Sequence, residues 1–186
     1  MRNIFVTSDL HFGHARPFIY SPRGFDNVWD MNRAIVDRWN AVVDPDDDVY
    51  VLGDLMLNNN EDGIALIKQL KGRIHIVLGN HDTDARMALY AECYNVVDIT
   101  YATVIKCGKY KFYLSHYPTM TGNIDETHLS QHLINLFGHT HSKDKFYNGI
   151  PFMYNVACDA HNCTPVSLDQ IIEDCKAEYK KCAEML

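Results

Sequence analysis

Ile74-His75-Ile76-Val77-Leu78-Gly79-Asn80-His81-Asp82 is the stretch on which the fold turns. A short apolar run rich in β-branched residues reads as a strand. It ends in a glycine, and an amide, an imidazole and a carboxylate come directly after, where a helical pattern begins. Four other runs end in the same manner. Ile4 to Ser8 leads to Asp9 and His11, Val49 to Gly53 leads to Asp54, Phe112 to Ser115 leads to His116, and Ile134 to Gly138 leads to His139 and His141. In open α/β sheets, ligands bind outside the carboxyl ends of the strands. These five ends are therefore expected to converge. Two carboxylates, one amide oxygen and four imidazoles form a mixed oxygen and nitrogen set that suits two metal ions.

Working outward, Phe12 to Asp26 is rich in Gly, Pro and Arg and reads as a loop. Val28, Met31, Ile35, Trp39 and Val42 then recur at helical spacing. Asp44-Pro45-Asp46-Asp47-Asp48 stops that helix. A second helix through Ile64, Ile67 and Leu70 is expected to end at Gly72, and a third to run from about Asp82 to Cys93. Val96 to Cys107 and Lys111 to Ser115 read as two strands around a Gly108-Lys109 hairpin. Tyr117 to Gln131 is a long polar segment placed to border the site. Strands near Ile134 to Phe137 and Phe152 to Ala157 come next. Ser167-Leu168-Asp169-Gln170 has the form of a capping box, and Leu168, Ile171, Ile172, Cys175, Tyr179 and Cys182 give the closing helix one apolar face. The order is βαβαβα, then mostly antiparallel strands and a final helix, which implies a helix-covered mixed sheet in a single domain over residues 1–186.

A hydrophobic fraction of 47% with 22% charged residues fits a globular chain with a sizeable core. The net charge of -7 argues against a broad nucleic-acid-binding face. It leaves room for a phosphate-bearing substrate, because bound cations invert the local charge. The six cysteines include no Cys-x-x-Cys pair, and a Cys158–Cys163 bridge is not expected. The N-terminus shows no secretory pattern and no run reaches membrane-span length, so the expected address is the reducing cytoplasm, with no membrane partner.

The ordered series Asp9-x-His11, Gly53-Asp54, Gly79-Asn80-His81-Asp82, His116 and Gly138-His139-x-His141 resembles the signature of calcineurin-like metallophosphoesterases. The likeness covers residues 4 to 141, with every motif complete. It implies an α/β fold, a four-layer α/β/β/α sandwich of two mixed sheets flanked by helices. It also implies two divalent or transition-metal ions, manganese, iron, zinc or nickel. One would be held by Asp9, His11 and His141, the other by Asn80, His116 and His139, with Asp54 bridging. A bridging hydroxide would attack phosphorus in line. His81 would protonate the leaving oxygen as general acid, and Asp82 would orient His81.

The residues after Asp54 narrow the branch. Protein Ser/Thr phosphatases of this superfamily share Gly-Asp-x-x-Asp-Arg-Gly, whereas Gly53-Asp54-Leu55-Met56-Leu57-Asn58 stands here. Purple acid phosphatases place a metal-binding Tyr where this chain has Leu57. The first expectation is thus a small stand-alone phosphodiesterase acting on a small phosphate ester. A phosphomonoesterase or a nucleotide pyrophosphohydrolase comes next, and a nuclease is disfavoured by charge. The reading from another class is a non-catalytic interaction scaffold, against which the complete ligand set counts. His14, Arg16 and Arg23 are candidates for contact with substrate phosphate, solvated loop arginine being the plainer reading of the last two. His128 and His132 lack the Glu of HExxH and read as surface or lid residues, His75 as core or edge, and His161 as a loop residue.

Overall fold

The computed structural model describes residues 2–122 and 125–184. Two sheets form its frame. The first has the order β4-β3-β2-β1-β9, built from β1 (Ile4–Thr7), β2 (Asp48–Val51), β3 (Arg73–Val77), β4 (Val96–Thr100) and β9 (Val166–Ser167). Its first four members run parallel, and β9 is antiparallel to β1. The second sheet has the order β5-β6-β7-β8, from β5 (Ala102–Cys107), β6 (Tyr110–Ser115), β7 (Leu133–Phe137) and β8 (Met153–Asn155). There β5 and β6 are antiparallel, while β6, β7 and β8 are parallel.

The helices are α1 (Pro17–Tyr20), α2 (Val28–Val42), α3 (Asn60–Ile67), α4 (Asp84–Ala91) and α5 (Leu168–Glu184). Asn27 starts α2 by accepting from the Asp30 N–H at 2.9 Å, an N-cap that satisfies one otherwise unpaired donor. Val28, Met31, Ile35 and Trp39 of α2 are buried against Phe5, Val49, Val51, Ile74 and Ile76. The second core joins Val6, Leu52 and Val77 to Phe112, Leu114, Ile134 and Leu136, and Leu168, Ile171, Ile172 and Cys175 of α5 close it. Each such side chain contributes about 1.5–3 kcal/mol on burial. The observed class is the expected one: two mixed sheets with flanking helices, an α/β/β/α sandwich.

Several boundaries differ from expectation. Val96 to Cys107 is two strands, β4 in one sheet and β5 in the other. The change of sheet comes at exposed Tyr101, with no Gly or Pro to signal it. The second sheet is mainly parallel rather than antiparallel, because the connections after β6 and β7 return the chain to the same end. The segment expected as pure loop contains α1. Helix α3 stops at Ile67, and Gly72 lies instead in the turn before β3. Thr83 caps α4, so the helix starts beyond Asp82. Val42 is exposed, and Cys182 is half-buried rather than in the core. Half of the capping box forms. The Gln170 N–H donates to Ser167 Oγ at 3.2 Å, but the Gln170 side chain turns to Asp174.

His132 is 2% exposed, stacked on Phe152 with centroids 4.3 Å apart, so it is a core residue and not a lid residue. His128 is exposed, and His75 is buried between Asp48 and Asp98. Within the polar segment, residues 123 and 124 lie outside those described. Its near end is held by Asn135, whose Oδ1 accepts from the Thr119 N–H at 2.8 Å.

Candidate metal centre

The carboxyl ends of β1, β2, β3, β6 and β7 meet, and the sheets approach closely enough there to require glycine. A Cβ on Gly53 would sit 2.6 Å from Gly79 Cα and from His116 Nδ1. The chain leaves these ends by sharp left-handed turns. Asp9, His11, Asp54, His139 and His141 have φ of 57°, 51°, 57°, 67° and 50°, a region that L side chains adopt at a cost. Each turn brings its side chain back over the strand ends.

Asp9, 0% exposed, offers Oδ2 to the His139 N–H at 2.9 Å. Its Oδ1 is buried without a hydrogen-bond partner among the described residues, 3.8 Å from both His11 Nε2 and His141 Nε2. Those two nitrogens are 3.2 Å apart. Asp54 Oδ1 accepts from the His81 N–H at 2.9 Å, and its Oδ2 stands 3.7 Å from both His11 Nε2 and His116 Nε2. It thus lies between the two imidazole groups. On the far side, Asn80 Oδ1 is 2.9 Å from His116 Nε2 and from His139 Nδ1. Among the described residues, ligand atoms of Asp9, His11 and His141 fall within 4.8 Å of one another, as do those of Asp9, Asp54 and His116.

Neighbouring acceptors fix where the ring protons sit. His116 Nδ1 faces the Leu52 carbonyl at 2.7 Å and must donate to it. In the neutral ring its Nε2 is then a lone pair, directed at the Asp54 carboxylate. His141 Nδ1 likewise donates to Asp159 Oδ2 at 3.1 Å, which turns its Nε2 lone pair toward Asp9 and His11. Lone pairs and carboxylate oxygens facing one another repel unless a cation lies among them. The residues present fit divalent metal.

The family model described as the calcineurin-like phosphoesterase superfamily domain matches residues 1–156. The chain belongs to that superfamily. It is 34% identical over 184 residues to the uncharacterized protein MJ1445 of Methanocaldococcus jannaschii, covering 93% of this chain and 91% of that one. It is 30% identical over 166 residues to the Gene 66 protein of Mycobacterium phage D29, covering 77% and 80%. A solved structure of a protein of unknown function, AQ665 from Aquifex aeolicus, superposes with a TM-score of 0.69 at 21% identity, over 93% of this chain and 99% of that one. The last likeness is one of fold.

Within this calcineurin-like domain, burial first and then neighbouring His141 and Arg23 push the His11 imidazole down to about 2, so it is a neutral donor. Burial raises the Asp54 carboxyl, partly opposed by His116. For His141, burial alone would lower the value, but the hydrogen bond to Asp159 and the charge of Asp9 outweigh it and raise it. His81 is 43% exposed, with Nε2 3.9 Å from Asp54 Oδ2. Its backbone is fixed at both ends, by Asp54 at N–H and by Arg86, which donates to its carbonyl at 2.5 Å. His14 packs its ring 5.5 Å from that of His11, so it borders the centre. Tyr117 does so on the other side, its ring 4.6 Å from that of His139.

Two expectations are corrected. Asp82 does not orient the His81 ring. Its oxygens accept from the N–H groups of Asp54 (2.7 Å), Gly79 (2.8 Å) and Leu55 (3.3 Å) and from Tyr90 Oη (2.8 Å), so it staples two ligand-bearing turns together. Arg23 is no phosphate clamp. Its side chain is 1% exposed and forms two hydrogen bonds to Asp159, at 3.1 and 2.8 Å, with a third to the Asp9 carbonyl at 2.8 Å. Arg16, for which solvated loop arginine is the plainer reading, is exposed at the N-cap of α1. His161 bonds the Asn155 carbonyl, apart from the candidate ligands. Sequence reasoning missed Asp159, which joins Arg23 to His141. The single signal available was its position in the loop after β8.

Proposed function

We propose that this chain hydrolyses phosphate diesters at a centre of two divalent metal ions. Asp9, His11 and His141 would hold one ion, Asn80, His116 and His139 the other, and Asp54 both. The observation that carries the reading is the paired set of lone pairs around Asp54, with Asp9 Oδ1 buried beside it and without a hydrogen-bond partner among the described residues. Bound there, two such ions supply Lewis acidity to phosphoryl oxygens and make hydroxide available near neutral pH.

The chain's own groups do the rest. Asp159 keeps the His141 proton on Nδ1, and the Leu52 carbonyl keeps that of His116 on Nδ1, so both rings present Nε2. Asp82 fixes the distance between the Asp54 and Gly79 turns. His81, half-exposed with its backbone pinned, delivers a proton from Nε2 to the departing alkoxide, the role of general acid. His14 lines the same opening and suits contact with a phosphate oxygen. A small phosphate ester in a reducing cytoplasm is the setting this reading favours, supported by the net charge of -7 and six free thiols.

The test is hydrolysis of bis-p-nitrophenyl phosphate against the monoester, with added manganese and parallel metal analysis. Diesterase activity with about two metals per chain is expected. Metal-loaded protein that cleaves neither ester would overturn the reading. His81→Ala should keep its metals and lose about 10²- to 10⁴-fold in turnover.

A further inference from the structure

Asp159 is bracketed by two thiols. Residues 157–164 fold into consecutive tight turns, in which the Ala160 N–H donates to the Ala157 carbonyl at 3.0 Å and the Thr164 N–H to that of His161 at 3.0 Å. Asn162 and Cys163 have φ of 50° and 53°, so the chain doubles back and returns Cys163 onto Cys158. The Cys163 N–H donates to the Cys158 carbonyl at 2.9 Å. That contact keeps the two Cα atoms within the roughly 4.4–6.8 Å that a disulfide spans. Both thiols are free. Both are buried, and they line one cavity of about 190 Å³ together with Pro22, Arg23, Lys143 and Asp159.

The surroundings favour reaction at Cys163. The neighbouring Cys158 thiol, aided by the Arg23 charge, holds the Cys163 thiol below its ordinary range against the effect of burial. The neighbouring Cys163 thiol, with burial, pushes the Cys158 thiol up. One sulfur is thus the better nucleophile and the other keeps its proton.

We propose that Cys158 and Cys163 form a reversible disulfide with peroxide as oxidant, and that the bridge loosens the hold of Asp159 on His141. The Cys163 thiolate attacks a peroxide oxygen: a sulfur–oxygen bond forms, the oxygen–oxygen bond breaks, and hydroxide leaves and is protonated to water. The Cys158 sulfur then attacks the sulfenic sulfur. The disulfide bond forms, the sulfur–oxygen bond breaks, and the departing hydroxide takes the Cys158 proton as a second water. Two thiols are oxidised and one peroxide is reduced. The bridge draws Cys158 toward Cys163, and Asp159 is its neighbour in the chain. Asp159 grips Arg23 and His141 at 2.8 to 3.1 Å, distances that tolerate little displacement. This consequence for His141, though not the bridge itself, rests on the metal-binding reading given above.

The experiment exposes the native, full-length chain to limiting hydrogen peroxide, alkylates it and digests it with trypsin. Cys158 and Cys163 fall in one peptide, Phe146 to Lys176, with Cys175. We expect that peptide to carry one alkyl group in place of three and to be lighter by about 2 Da beyond those two missing groups, with no fragments from between residues 158 and 163, and to take up all three groups after dithiothreitol. Oxidation of Cys107 or Cys182 while Cys158 and Cys163 remain alkylated would overturn the bridge. In parallel, zinc binding by calorimetry should weaken about tenfold at one site on oxidation, and Asp159→Asn should do the same without oxidant. Equal binding by reduced and bridged protein would overturn the link to His141. Absence of zinc binding in both forms would instead count against the centre, with the thiol result read separately by mass.

Discussion

The losses from removing Arg23 and Asp159 separately should add to far more than the loss from removing both. The guanidinium and the carboxylate are 1% and 6% exposed, and two hydrogen bonds join them. Burial alone would raise the Asp159 carboxyl, but the hydrogen bonds from His141 and Arg23 outweigh it and hold it well below the ordinary carboxylate range. Asp159→Ala leaves Arg23 as a buried cation facing neutral groups, the Asp9 and Leu10 carbonyls and the Met31 sulfur. An uncompensated buried charge costs about 3–5 kcal/mol. Arg23→Met leaves the carboxylate to His141 and strips two carbonyls of their donor, at about 1–3 kcal/mol for each unsatisfied group. The double variant strips the same two carbonyls but buries no unpaired charge. The two single losses together should therefore exceed the double loss by about 3–5 kcal/mol, the cost of the uncompensated charge, against a total stability of about 5–15 kcal/mol. Urea unfolding followed by circular dichroism gives the three values. It should be run with chelator present so that metal binding adds nothing. Additive losses, or an Asp159→Ala cost below about 1 kcal/mol, would show that the charges are solvated and refute the coupling of the pair.

Two further outcomes rest on packing and charge. A methyl on Gly138 would overlap Ser8 Oγ and Asp9 Oδ2, so Gly138→Ala should weaken metal binding about tenfold or more in a calorimetric titration, while Gly122→Ala, with open space around it, should not; equal binding by both would refute the crowding. Burial of Asp174 would raise its pKa, but hydrogen bonds from Lys145, Tyr154 and Gln170 outweigh it, so the folded value is depressed and the stabilisation is present above the unfolded value and lost as pH falls through the folded one. Asp174→Asn should thus be less stable than the parent by about 1 kcal/mol at pH 7, with the gap closing below about pH 4; a gap unchanged from pH 7 to pH 3 would contradict this.

The alternation of apolar runs and helical stripes was enough to find the first sheet, because parallel strands buried on both faces leave continuous hydrophobic runs. Asp9, His11, Asp54, Asn80, His116, His139 and His141 were legible because each stands within a few residues of a strand end. The features hidden in the sequence depend on contacts between distant segments. Asp159 lies 18 positions from His141 and Arg23 lies 136 from Asp159, so neither pairing leaves a local trace. The direction of the Asp82 carboxylate is a side-chain choice made by three backbone donors and Tyr90. Tyr101 parts two strands without a turn residue, and β9 is two residues long. His132 looked polar on paper, but its ring is flat enough to stack on Phe152.

The left-handed turns at Asp9, His11, Asp54, His139 and His141 bear on the chain's stability. Each costs on the order of 1 kcal/mol or more relative to glycine, so the five together hold on the order of 5 kcal/mol, a large part of what keeps such a domain folded. Replacement of any of the five by glycine relieves its turn and removes a donor at once. Five strained positions that carry side chains where glycine would be easier are a cost that the proposed metal binding would offset.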